Sequence, residues 1–234
     1  MPRPPRSVVE VGCGDGVLLG ELARRGVGES RHGFEISERA VAYATSRPGV
    51  DRAERFDGHT LPVADHAYDL GILSHVLEHV PDPLPLLRET ARACEAVVVE
   101  VPLEDNVTAS RSSASAGRAA IGHLHRFSRA DVSRLASAAG LQVVAELADP
   151  LPLAVHSFFA DTPAVKAKAL AKTAARRAVF AAAPTRAERL FTVHYAALCL
   201  PSTTREVLGP QARQTLRRPP DNGCPPAPRP RLTG

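Results

Sequence analysis

The chain has 234 residues, a hydrophobic fraction of 44% and a net charge of +4, which fits one soluble domain of ordinary size with some decoration. No apolar run approaches the roughly 18 residues needed to cross a bilayer, and no apolar segment follows the basic N-terminus, so we expect no secretory signal and a cytoplasmic location. The four cysteines are scattered without a Cys-x-x-Cys pair, which argues against a disulfide framework and against a cysteine-rich zinc site.

The first half of the chain alternates short β-branched runs with segments of helical apolar spacing. The predicted strands are Ser7–Val11, His32–Ile36, Ala67–Leu73 and Ala96–Val101. The predicted helices are Val17–Arg25, Ser37–Ser46 and Leu84–Ala93. This alternation implies right-handed βαβ units and a mainly parallel sheet, in which ligands bind beyond the carboxyl ends of the strands.

The second half is less regular. Pro102–Gly122 predicts a loop or lid, Ser128–Ala139 a helix with a near capping box, and Leu141–Glu146 and Leu190–Leu200 two strands. Between these strands, one Ala/Lys-rich helix is predicted at Pro163–Ala183. We therefore expect a short tail at 1–6, a domain at 7–200 with a lid at 103–122 and a helical insertion at 150–189, and a disordered Pro/Arg-rich tail at 201–234.

A glycine-rich turn, EVGCGDG, lies where the first strand should meet the first helix. Glycines let the backbone turn tightly and approach a ligand closely. The spacing departs from the dinucleotide fingerprint because Val17 stands in the place of the third glycine, and no P-loop Gly-Lys-Ser/Thr follows. A purely structural turn remains an alternative on this motif alone.

Two later acids make a ligand site the better interpretation. Glu35 ends the second strand, where a carboxylate can accept hydrogen bonds from both hydroxyls of a ribose. Asp57 would lie past the third strand of the sheet, where an acceptor can meet an exocyclic amine. Three such features in order, each at the end of a strand, are poorly explained by chance.

Together the segments VVEVGCGDG, HGFEIS and FDGHTLPVADHAYDLGILSHVLEHVPDP resemble class I S-adenosylmethionine-dependent methyltransferases, in particular the small-molecule branch with an EHV-x-DP turn. The resemblance covers about Ser7 to Leu147. It implies a Rossmann-like, doubly wound α/β fold with a mainly parallel seven-stranded sheet. The last strand of that sheet is antiparallel, and Leu190–Leu200 can supply it. It also implies S-adenosyl-L-methionine as the cofactor.

The resemblance assigns the methionine end of the cofactor to the glycine turn. Gly12, Gly14 and Gly16 would cradle the methionine part. Glu10 stands where the family usually has Asp and would support the turn. Ser74, at the end of the fourth strand, would contact the methionine end.

The adenosine end falls on the second and third strand tips. Glu35 would bind the ribose, and Ile36 would pack against the adenine. Asp57 would accept a hydrogen bond from the adenine amine, with Gly58 beside it.

The segment HVLEH, residues 75–79, also matches the H-x-x-E-H pattern of a zinc-protease helix. That site needs a helix of several turns and a distant third ligand, whereas three prolines between 81 and 85 limit any helix here to about one turn. We therefore expect no metal ion. His75 is a candidate to face the methyl sulfonium, and His79 is expected to be a structural imidazole bonded to backbone.

Methyl transfer is an in-line displacement in which positioning supplies much of the acceleration, and a general base helps where the acceptor loses a proton. His123 and His125 in GHLHRFS are candidate bases. His123 comes first because the family often carries a histidine just before the Phe-Ser helix cap. The alternative for both is a hydrogen bond to the lid or exposure to water.

The predicted function is methyl transfer to oxygen or nitrogen, with carbon less favoured, of a small-molecule acceptor such as a sugar, polyketide or lipid-linked intermediate. An RNA or protein methyltransferase and a non-catalytic cofactor-binding scaffold stay open. Nucleic acid is not favoured, because aromatic residues are only 4% and no aromatic-interleaved basic patch offers base stacking. The 163–183 helix holds every lysine and presents either a solvated face or a contact for a membrane or anionic substrate. The oligomeric state stays open.

Overall fold

The computed structural model of the chain describes residues 3–110, 122–151 and 162–202. The strands are β1 (Ser7–Val11), β2 (Ser30–Glu35), β3 (Arg52–Arg55), β4 (Tyr68–Ser74), β5 (Cys94–Leu103), β6 (Leu141–Pro150) and β7 (Val193–Pro201). The helices are α1 (Val17–Arg24), α2 (Glu38–Thr45), α3 (Pro83–Ala93), α4 (Arg129–Ala138), α5 (Pro163–Ala182) and α6 (Pro184–Leu190).

The strands form one sheet in the order β3-β2-β1-β4-β5-β7-β6. The five strands from β3 to β5 are parallel, and β7 runs antiparallel to both β5 and β6. The register sets Glu10 opposite Ile72, and Ser74 opposite Glu100, so the carboxyl ends of neighbouring strands meet at one edge. This topology confirms the predicted Rossmann-like, mainly parallel seven-stranded sheet.

Apolar side chains fill both faces of the central strands, as expected of parallel strands covered on two sides. On one face, Val97, Val99 and Val101 of β5 join the main core with residues of α3 and α4. On the other, Val8 of β1 belongs to a second cluster against which Leu18 and Leu22 of α1 pack. The β-branched runs of the sequence are therefore the interior of the sheet.

Several predicted boundaries were wrong. The sequence predicts no bounds for β3, because Arg52–Arg55 is too polar to show a strand pattern. Among the described strands, β3 pairs with β2 alone, at a charged edge of the sheet. Leu190 ends α6 instead of starting a strand, since Pro184 opens a separate helix. β5 continues to Leu103 and β7 to Pro201, beyond the predicted strand ends at Val101 and Leu200.

Parts of three predicted segments lie outside the described residues. These are 111–121 of the expected lid, 152–161 of the expected insertion, and the expected tail from 203 onward. The helix predicted within the insertion is confirmed as α5. No helix in the described ranges combines the length and the apolar character needed to cross a membrane.

Helix caps follow the sequence signals. Ser37 accepts a hydrogen bond from the Ala40 N–H at the start of α2. Ser128 and Asp131 form a complete capping box on α4, in which each side chain bonds the other residue's backbone N–H. These contacts satisfy amide groups that the first helical turn would otherwise leave without partners.

The substitution Ser128→Ala tests the capping box. It should lower the free energy of unfolding by about 1 kcal/mol, because the Asp131 N–H loses the Ser128 hydroxyl as its acceptor. The measurement is urea denaturation, with Ser133→Ala on the exposed side of the same helix as the matched control. Equal stability of the two variants would contradict the role of the cap.

Candidate functional site

The glycine turn between β1 and α1 requires glycine at specific positions. Gly12, Gly14 and Gly16 have φ values of 78°, 53° and 75°, in the region that side chains disfavour. A Cβ on Gly12 would come within 2.5 Å of a methyl group of Val76. The Gly12 and Cys13 N–H groups donate to the carbonyl of Phe34, which fastens the turn to the end of β2.

Gly14 faces open space. A Cβ built there would meet no atom of the described residues within 4 Å. Its N–H donates to Oε2 of Glu35 at 3.0 Å, whereas Oε1 of Glu35 accepts from the N–H groups of Ile36 and Ser37. The Glu35 carboxylate therefore joins the glycine turn to the start of α2, and three of its roughly four acceptor positions are in use.

Glu10 lies beneath the turn and is only 4% exposed. Its Oε2 has no hydrogen-bond partner within the described residues. Burial, reinforced by repulsion from Glu100, raises the pKa of Glu10 from 4.5 to about 8, against the opposing effect of a hydrogen bond from the Leu19 N–H. Because Gly16 offers no side-chain cap to α1, Glu10 supplies an acceptor for its first turn.

A second part of the candidate site lies at the carboxyl ends of β2 and β3. Ile36 is 59% exposed, although it is apolar, and a Cβ on Gly58 would come 3.4 Å from it. Asp57 uses Oδ1 to accept from the N–H groups of His59 and Thr60, which lowers the pKa of its carboxyl group. An exposed apolar side chain thus lies near a fixed acceptor.

The third part of the candidate site lies at the carboxyl end of β4. Ser74 donates its hydroxyl to Oε2 of Glu100 at 2.7 Å. His75 has φ 55°, a left-handed conformation that is uncommon outside glycine. Its Nδ1 lies 3.0 Å from Oε1 of the fully buried Glu78, and this hydrogen bond raises the pKa of His75.

Residues 75–81 form a turn, without the helix that a zinc protease would need. The expectation that the H-x-x-E-H pattern is not such a helix is therefore confirmed. His79 places Nδ1 3.2 Å from the carbonyl of Gly122, as expected of an imidazole bonded to backbone. His125 places Nε2 2.8 Å from the carbonyl of Val80.

His123 is enclosed and lies beside a carboxylate. Its Nδ1 lies 2.9 Å from Oε2 of Glu104, and the two side chains are only 9% and 11% exposed. Its ring meets the ring of His79 edge-on, with the centroids 4.8 Å apart. A histidine oriented by a carboxylate is an arrangement that serves proton transfer.

The predicted residues form two connected groups. Contacts run from Gly58 through Ile36 and Glu35 to the glycine turn, and from Gly12 through Val76 to the β4 tip. The second group is His79, His123 and His125, which lie around Glu78. The backbone carbonyl of Glu78 accepts hydrogen bonds from the Leu124 and His125 N–H groups. His75 is the link between the groups, through its hydrogen bond to Glu78.

Sequence reasoning missed three residues at this edge. Glu104 directly follows β5, and Glu35 is the last residue of β2, so the same rule of acids at strand ends could have found Glu104. Glu100 interrupts the valine run AVVVEV, which is a signal for a polar residue at a strand end. His194 on β7, whose ring lies 4.9 Å from that of His75, has no sequence signal, because only the antiparallel register places it there.

Comparisons with known proteins point to one family. Residues 2–146 match the family described as "Methyltransferase domain". An uncharacterised 37.1 kDa protein in transposon TN4556 of Streptomyces fradiae is 33% identical over 130 residues, which are 52% of this chain and 37% of that protein. A ubiquinone biosynthesis O-methyltransferase of Neisseria meningitidis is 28% identical over 93 residues, 37% of this chain and 39% of the relative. The chain thus spans under two fifths of either relative's length.

Among solved structures, a geranyl diphosphate C-methyltransferase from Streptomyces coelicolor aligns with a TM-score of 0.60. The alignment covers 86% of this chain and 71% of the other, at 15% identity. That protein was solved in complex with Mg²⁺, geranyl diphosphate and S-adenosyl-L-homocysteine. At this identity, the likeness concerns the fold.

The substitution Glu10→Gln tests the buried acid. Because the folded-state pKa is raised, the wild-type protein should lose free energy of unfolding as the pH rises from 4.5 to about 8. The loss approaches about 1.4 kcal/mol per pH unit where only the unfolded chain ionises. Glu10→Gln removes this contribution, so the stability difference between variant and wild type should shift in favour of the variant across that window.

Urea denaturation at a series of pH values provides the measurement. Glu38→Gln, on an exposed residue of α2, controls for the amide substitution itself. A constant difference between Glu10→Gln and wild type over the whole pH range would show that Glu10 is not a desolvated acid.

Proposed function

Because the chain belongs to the methyltransferase-domain family, within the class I S-adenosylmethionine-dependent methyltransferases, we propose that it transfers the methyl group of S-adenosyl-L-methionine to a small-molecule acceptor. The acceptor atom is oxygen or nitrogen in preference to carbon. The observation that carries the proposal is the continuous arc of contacts from the glycine turn through Glu35 and Ile36 to Gly58, which begins beside the open space at Gly14.

The adenosine part of the cofactor fits the glycine turn and the carboxyl ends of β2 and β3. Glu35 keeps acceptor capacity for a ribose hydroxyl while it holds the glycine turn. The exposed Ile36 would be covered by the adenine ring, which removes apolar surface from water. Asp57 stands near this surface, with its carboxylate fixed by two backbone N–H groups, as an acceptor for the adenine amine.

The methionine part fits the side where carboxylates crowd. Glu10 and Glu100 repel each other, and Ser74 bonds Glu100. A cationic ligand placed beside such a pair is favoured, because it offsets the repulsion in a region of low dielectric constant. The sulfonium and ammonium groups of S-adenosylmethionine have this charge.

The substitution Gly14→Ala tests the cofactor site, and Gly26→Ala is its matched control. Both glycines have positive φ, and a Cβ on either meets no atom within 4 Å, so both variants carry similar backbone strain. Only the Cβ at Gly14 enters the proposed ligand space. Calorimetric titration with S-adenosylmethionine should show at least tenfold weaker binding for Gly14→Ala and little change for Gly26→Ala. Equal affinities in the two folded variants would contradict the assignment.

We propose His123 as the general base, held by Glu104. His125 places Nε2 against the carbonyls of Val80 and Pro81, so this nitrogen is less suited to accept a proton. His75 has 38% of its side chain exposed, against 9% for His123, and is therefore the less enclosed of the two. The Nδ1 contact with Glu104 leaves Nε2 of His123 to take a proton from the acceptor as the methyl group arrives.

The substitution His123→Gln should lower kcat by about 10²–10⁴-fold and leave the affinity for S-adenosylmethionine unchanged, because the residue lies outside the cofactor arc. The measurement is labelled-methyl transfer to the acceptor, found by screening extracts. His66→Gln, on an exposed histidine far from this edge of the sheet, serves as the control. A His123→Gln variant with undiminished kcat would refute the base and leave the cofactor site standing.

We further propose that α5 contacts an anionic group of the acceptor or its carrier. The helix carries Lys166, Lys168 and Lys172, and Leu170 on it is 57% exposed. Burial lowers the pKa of Lys172, with Lys168 and Arg176 adding repulsion. An anionic group would relieve this repulsion, and a phosphorylated or lipid-linked acceptor would supply one.

A further inference from the structure

Two side chains on strands and one directly after a strand converge beside the proposed cofactor site. His75 follows β4, Glu100 lies on β5 and His194 lies on β7, and one nitrogen or oxygen of each lies within 4.8 Å of the others. We propose that this cluster binds a single divalent transition-metal ion.

Two of the proposed ligands, His75 and Glu100, are each oriented by a hydrogen bond with a neighbouring side chain, as metal ligands usually are. Nδ1 of His75 lies 3.0 Å from Oε1 of the fully buried Glu78, which leaves Nε2 to coordinate. Oε2 of Glu100 accepts from Ser74, which leaves Oε1. A carboxylate behind a histidine and a hydrogen bond behind a carboxylate fix the orientation of ligating atoms.

The backbone supports the same geometry. His75 adopts φ 55°, a conformation that a side chain other than glycine takes only where its surroundings impose it. Its ring meets that of His194 edge-on, with centroids 4.9 Å apart. Glu100 and His194 are fixed by the β5–β7 ladder, and ligands on strands are placed more firmly than ligands on loops.

The donor set indicates the kind of ion. Two imidazoles and one carboxylate suit Zn²⁺, Co²⁺, Ni²⁺ or Fe²⁺, whereas Mg²⁺ and Ca²⁺ prefer sets made of oxygen alone. Three protein ligands leave at least one coordination position open. All three residues are partly exposed, so a water molecule or a substrate atom can reach that position.

The site differs from the zinc-protease pattern spelled by residues 75–79. It uses His75 with partners from β5 and β7, while the second histidine of the pattern, His79, bonds the carbonyl of Gly122. The ligand atoms of Glu78, His79 and His123 also lie within 4.8 Å of one another. The residues of that second cluster lie on loops. The experiment below distinguishes metal binding at the two clusters.

The ion would also assist methyl transfer, and this consequence rests on the proposed function. An acceptor hydroxyl at the open position would have a lowered pKa and would give up its proton more readily as the methyl group arrives. Metal binding itself is measured without cofactor or acceptor, so its failure would leave the methyltransferase proposal untouched, and failure of methyl transfer would leave the metal site untouched.

The experiment uses the untagged full chain, stripped of metal with a chelator and titrated with Co²⁺ and with Zn²⁺. Visible absorption reports Co²⁺ coordination, and calorimetry gives the Zn²⁺ affinity and stoichiometry. We expect one ion per chain, and at least a tenfold loss of affinity in His194→Ala and in Glu100→Gln. His194→Asn is a second, milder variant should His194→Ala unfold, which circular dichroism would reveal.

The controls are His123→Ala, which removes a ligand of the second cluster, and His125→Ala. Both should keep the wild-type affinity for Zn²⁺. Two results would overturn the proposal: no saturable binding by the wild-type chain, or wild-type affinity in folded His194 and Glu100 variants. Loss of binding in His123→Ala alone would also overturn it, because the ion would then belong to the second cluster.

Discussion

The Glu35 carboxylate is the contact on which the site depends. It accepts N–H groups from Gly14, Ile36 and Ser37, and so joins two chain segments that the sheet only brings side by side. Parallel pairing of β1 with β2 sets Val11 opposite Phe34, so the glycine turn and Glu35 emerge at the same edge. Without this carboxylate, three backbone donors near the proposed cofactor site would lose their common acceptor.

The edge also concentrates carboxyl groups. Glu10, Glu78, Glu100 and Glu104 lie close to the ends of β1, β4 and β5, and two of them, Glu10 and Glu78, keep a buried oxygen without a partner in the described residues. Buried carboxylates are costly unless a cation or a proton balances them. A sulfonium cofactor and the proposed metal ion would each offset this cost, so binding of one should change the affinity for the other.

Much of the fold could be predicted from the sequence because β-branched runs and helix caps are local signals. The glycine turn, Glu35 and Asp57 were found because each follows a strand, and the structure brings them to one edge. What failed depended on information that is not local. Arg52–Arg55 forms a strand only because β2 offers it an edge, and His194 reaches His75 only through the register of β7 against β5. The roles of these site residues in binding and catalysis remain predictions.

The most direct test of the cofactor site is a titration of the ¹⁵N-labelled chain with S-adenosyl-L-homocysteine, followed through backbone amide shifts. The account predicts the largest changes at Gly12–Gly16, at Glu35–Ser37 and at Asp57–Thr60, because these amides line the arc or bond its carboxylates. It predicts small changes in α4 and on the outer side of β6. Saturable binding with the largest changes elsewhere, and none at Gly14 or Ile36, would contradict it.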